Sequence, residues 1–148
     1  MHIANRWVVT SAVGIGALVS VGLGVSQASG GSSLRSHTLH FTAVTVANAN
    51  TSKHTFSGAD KDVRKGKKIG TDVTQCRANK SFTKVRCEVA LALRGGILYG
   101  TFRISQSDAI SHGKVTGGVG RYTGATGTIS GHSGKKNNTE DVTVVYTT

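Results

Sequence analysis

Asp60, Asp62, Glu88, Tyr99, Arg103 and Tyr122 are the side chains from which this sequence could assemble proton chemistry. A carboxyl inside an apolar cavity is pushed toward its neutral form, because burial penalises the charge, and it can then act as a general acid near neutrality. A neighbouring Tyr or Arg would orient the bound molecule. The supply is small: the carboxylates are Asp60, Asp62, Asp72, Glu88, Asp108, Glu140 and Asp141. Residues of these types are more often exposed on a strand or turn than buried, so the reading depends on the elements that carry them.

Other chemistries fit less well. "TGGVGRYTGATG", Thr116 to Gly127, approaches a dinucleotide fingerprint, but Thr123 stands where the third glycine belongs and no helical period follows. Its glycines read instead as turn positions that need positive φ or close backbone approach. "GHSG", Gly131 to Gly134, is followed by Lys135 and lacks both the final glycine and the helix of a hydrolase nucleophile elbow. Of His37, His40, His54, His112 and His132, only the first two are close in sequence, and on a strand an i, i+3 pair faces opposite ways. No metal site is expected.

The elements that must position these residues are strands. From His37 the chain alternates, with Leu39, Phe41, Ala43 and Thr45 on one face and His40, Thr42, Val44 and Val46 on the other. "ANANTSKH", residues 47–54, reads as a turn or loop before a short strand centred on Phe56, and Lys61 to Lys68 as an exposed hairpin end using Gly66. Ile69 to Ala78 and Thr83 to Leu93 follow around "NKSF", and in the second of these Val85, Cys87, Val89, Leu91 and Leu93 share the face that should pack. Arg94-Gly95-Gly96 turns the chain into Ile97 to Ser105, and Thr128 to Gly131 and Thr139 to Thr148 supply two more strands around "HSGKKNN". The domain is therefore all-β, with seven or eight short strands. Short links between successive strands favour an up-and-down barrel over a sandwich, and cysteines only eleven apart disfavour the immunoglobulin arrangement.

Residues before this domain have another character. Arg6 precedes an uncharged run from Trp7 to Val25, and Ser26-Gln27-Ala28 offers small residues for cleavage, so Met1 to Ala28 reads as a secretory signal. An uncleaved membrane anchor is the alternative. Residues 29–36 read as a flexible Gly/Ser-rich linker and 37–148 as the barrel domain, soluble and free of the membrane after cleavage. In an exported protein the two cysteines, Cys76 and Cys87, read as a disulfide. Without Arg6 the chain has seventeen Lys and Arg against seven Asp and Glu, a net charge of about +10. Apart from "KDVRKGKK" at Lys61 to Lys68 the basic residues are dispersed, and aromatic residues are scarce, which argues against specific nucleic-acid recognition and for a solvated surface in a polyanionic setting.

Gly117-Gly118-Val119-Gly120-Arg121-Tyr122-Thr123-Gly124-Ala125-Thr126-Gly127 resembles the G-G-T-G-x-[YF]-x-x-A-x-G signature of the dirigent and allene oxide cyclase barrel superfamily. "FSGADKDVRKGKKIGTD" and "CEVALALRGGILYGTF" resemble its earlier Asp-containing segment and its central hairpin, with Asp60 or Asp62 at the family's early acidic position. The resemblance implies an eight-stranded antiparallel barrel, often a homotrimer, that binds a small apolar molecule without metal or organic cofactor. It further implies steering of cyclisation, isomerisation or coupling by confinement. On this reading Glu88, Tyr99 and Arg103 line the cavity and Asp60 or Asp62 stands at its mouth. The alternative function is a noncatalytic extracellular protein whose basic surface binds anionic polymers.

Overall fold

Alternating β-branched and apolar residues bury only one side of each strand, and a sheet closed on itself satisfies every edge while facing those sides inward. The computed structural model describes residues 34–148; the expected signal, and the linker up to residue 33, lie outside them. Eight strands follow in order: β1 (Ser36–Ser52), β2 (Thr55–Arg64), β3 (Lys67–Ala78), β4 (Lys84–Leu93), β5 (Gly96–Ser105), β6 (Ile110–Gly120), β7 (Thr126–Ser133) and β8 (Thr139–Thr147). Each pairs with the next, all antiparallel, and β8 returns to β1 to close the barrel. The described residues contain no helix.

The interior is built from Phe41 and Ala43 of β1, Leu91 of β4, Leu98 of β5, Val115 of β6 and Val144 of β8. Cys76 and Cys87 lie directly opposite each other on β3 and β4, face inward and form a disulfide. One reading from the sequence needs correction: residues 47–52 are strand, not loop. There β1 runs on past β8 and pairs with β2 from Ala47↔Ala59 to Ser52↔Thr55, leaving the turn to Lys53 and His54. Exposed Asn and Thr side chains do not oppose a strand whose ladder is completed by its neighbour.

The glycine-rich stretch serves two purposes. Thr116 to Gly120 ends β6, and the following turn folds Tyr122 and Ala125 into one end of the barrel, where both are buried. Gly120 sits at φ 68°, and a Cβ there would collide with the Gly95 carbonyl, so glycine is required by conformation and by space. The Tyr122 hydroxyl donates to the Arg94 carbonyl at 3.4 Å, and its ring meets Tyr146 edge-on with centroids 5.7 Å apart. This turn plugs the barrel.

Candidate active site

Two apart on β2, Asp60 and Asp62 share the inward face of the barrel, and Asp60 lies directly opposite Asp72 of β3. Asp62 is 0 % exposed and Asp72 6 %, which removes both from bulk water. No amide, hydroxyl or cationic donor reaches either oxygen of Asp62, or Oδ1 of Asp60 or Asp72. Carboxyl groups packed this closely bond to one another only through a shared proton.

The electrostatics follow from that. Burial pushes the Asp72 carboxyl up from 3.8 to about 8, with further upward pressure from the negative charge of Asp62 and then Asp60. Asp62 is pushed up less, to about 6: burial raises it, the hydrogen bond from Asp72 lowers it, Asp60 raises it and Lys68 lowers it. At neutral pH the pair thus retains one proton between Asp72 and Asp62.

Asp60 and Asp72 open onto a cavity of about 50 Å³ whose apolar wall includes Phe41, Leu91, Leu98, Val115 and Val144. Asp62 does not border it and sits behind Asp72. Ser111 and Glu140 also line the cavity. Ser111 Oγ lies 3.0 Å from Glu140 Oε1 and 3.2 Å from the Gly131 carbonyl oxygen, and it donates to these acceptors. Gly131 has no side chain for a reason: a Cβ there would run into the Glu140 carboxylate. Burial raises the Glu140 pKa, the Ser111 bond opposes the rise, Asp60 adds to it and His132 lowers it. The cavity is therefore apolar in bulk, with acid groups contributed by β2, β3 and β8.

Two expected cavity residues, Glu88 and Arg103, are placed otherwise. Both are exposed on the outer wall, because strand alternation turns them away from their inward neighbours Cys87 and Phe102. Tyr99 borders the cavity but is 39 % exposed and lies between the inward Leu98 and Gly100. Asp60 and Asp62 are inside the barrel, and Asp62 is not at a mouth but fully buried. Asp72 and Glu140, left out of the expected set, are brought to the cavity with Asp60. The disulfide held the signal that could have found Asp72: if Cys87 faces inward, so does Cys76, and Asp72 is four residues back on the same face. Among the described residues no group of three or more His, Cys, Asp or Glu side chains is arranged to hold a metal ion.

No family model and no curated protein matches the chain. Solved structures do share its fold. A pyocyanin demethylase is 17 % identical with a TM-score of 0.63, covering 74 % of this chain and 99 % of its own. An exo-specific intermolecular Diels-Alderase is 11 % identical with a TM-score of 0.60, over 77 % of this chain and 99 % of its own. A pterocarpan synthase dirigent protein is 12 % identical with a TM-score of 0.62, over 78 % of this chain and 89 % of its own. The dirigent-like barrel suggested by the glycine-rich signature is thus the fold of this chain.

Proposed function

We propose that the barrel binds a small, largely apolar molecule carrying an oxygen acceptor and steers its cyclisation, isomerisation or coupling, with Asp72 as the proton or hydrogen-bond donor. The observation that carries this reading is a carboxyl kept protonated near neutrality in the wall of an apolar cavity, with a second carboxyl behind it. A donor of that kind polarises a carbonyl or ether oxygen, while the close walls restrict the molecule to a reactive conformer. Asp62 acts as a positioning residue that holds the Asp72 proton, and Asp60 and Glu140 are available as acceptors. The fold alone does not choose the reaction, since its relatives carry names as different as demethylase and Diels-Alderase. The disulfide supports an exported protein, because such bridges persist in oxidising compartments.

A cavity of about 50 Å³ holds only a few water-sized molecules, so a ligand of ten or more atoms must displace a wall side chain such as Phe102. The test is a panel of apolar carbonyl compounds followed by native mass spectrometry and turnover. Asp72→Asn, which cannot give up a proton, should lower turnover by about 10² to 10⁴-fold. Glu88→Gln on the outer wall should leave it within about twofold. Equal effects from the two substitutions, or no retained compound in the whole panel, would sink the reading.

A further inference from the structure

The outer wall carries a feature that the cavity does not explain. Arg77 of β3 lies directly opposite Arg86 of β4, and Arg86 directly opposite Arg103 of β5. The same row continues through His112 of β6, Ser130 of β7, Thr143 of β8 and His40 of β1. Each of these alternates with an inward neighbour, among them Cys76, Cys87, Phe102 and Ser111, so the row faces solvent. The three arginines and both histidines are exposed, and His40 Nδ1 lies 2.9 Å from Thr143 Oγ1.

Like charges directly opposite on a sheet are destabilising, with Cβ atoms only about 4.5–5.5 Å apart. Here two such pairs share one central residue. Lys84 and Lys114 project from the same wall, and Glu88 is the one carboxylate among the outward residues of β3 to β6; Asp108 lies in the link beyond β5. Glu88 faces Gln75 and Thr101 in the adjacent row, not an arginine.

We propose that this arginine row is a binding site for a linear phosphate polymer lying across strands β3 to β6 on the outer wall. The chemistry selects phosphate. One guanidinium fork already fills the two oxygens of a carboxylate, whereas a phosphate accepts from two adjacent guanidiniums through different oxygens. The geometry selects a polymer: strands stand about 4.8 Å apart, so the three arginines cover roughly 10 Å, a line of donors longer than the two neighbours one phosphate can bridge. No Phe, Tyr or Trp lies in the row, so it offers backbone oxyanions a track without the large aromatic platforms on which bases stack. His112, Ser130, Thr143 and His40 extend the line with further donors. The site is separate from the cavity, and neither proposal depends on the other.

The experiment is a binding titration of the protein with inorganic polyphosphate of about 20 units in 0.15 M salt, repeated across salt concentrations. R77Q/R86Q/R103Q should bind at least about tenfold more weakly, with a salt slope shallower by about two, at roughly 0.7 per lost contact. K61Q/K67Q/K68Q removes the same charge from the β2–β3 hairpin and should change affinity by less than about threefold. Equal losses in the two triple variants would show net charge alone at work and overturn the site. So would an absence of wild-type binding at 0.15 M salt, or polyglutamate of equal length binding as tightly. Tighter binding to single-stranded DNA of equal charge would overturn it in favour of base recognition. Should the triple variant fail to fold, R86Q alone, at the centre of the row, is expected to lose about threefold, and no loss would have the same overturning force.

Discussion

Asp72 and Asp62 couple the cavity to the stability of the fold. An unfolded chain releases the Asp72 proton near the ordinary 3.8, while the folded barrel holds it up to about 8. Between those values the folded state binds more protons, so stability falls as pH rises. The contribution is complete below about pH 4 and lost above about pH 8, and Asp62 adds a similar decline ending near 6. Thermal melts should therefore show a midpoint lower at pH 8.5 than at pH 5, by on the order of 4 kcal/mol in stability. Asp72→Asn should flatten that slope, and an unchanged slope would remove Asp72 as its source. The inward set was readable only in part. Seven carboxylates are too few and too scattered for a pattern of their own, and the choice among them needed strand parity, which Cys87 settles for β4 and which excludes Glu88.

At the level of strands and turns, the clearest local device is the β2–β3 link. Lys65 at φ 50° and Gly66 at φ 75° form a two-residue hairpin with both residues left-handed, a geometry that matches strand twist and favours Asn-Gly. Lysine has no side-chain compensation for that backbone, so Lys65→Asn should stabilise the protein by about 0.5 kcal/mol, measurable as a shifted denaturant midpoint with unchanged slope. This link, the Arg94 to Gly96 turn and the "HSGKKNN" turn were legible because their residues demand turn conformations. The outer half of β1 was not, because "ANANTS" contains turn-type residues and owes its extended form to β2, a partner that no local window contains. The bulge at Asp62 and Val63 was equally hidden, yet it sets the register that brings Asp60 opposite Asp72.

For the whole molecule, the fold sorts charge by sign. Asp60, Asp62, Asp72 and Glu140 face the interior, and Asp141 accepts a 2.7 Å bond from Thr42, which leaves Glu88 and Asp108 as the exposed carboxylates. The outside is consequently more basic than the composition indicates. Capillary electrophoresis at pH 7 gives a direct check: Glu88→Gln should add one positive charge, whereas Asp72→Asn should add almost none, because Asp62 and Asp72 already share one proton. A full unit from both would contradict the retained proton.

The seam between β1 and β8 joins Ser36 to Thr147, the two ends of the barrel's sequence. Every other pair of neighbouring strands is consecutive in the chain, but this one brings together the first and the eighth strand and so waits for β8. Until then the sheet has two open edges and an unsealed interior. Closure of the barrel is thereby timed to the arrival of β8, the eighth strand in chain order.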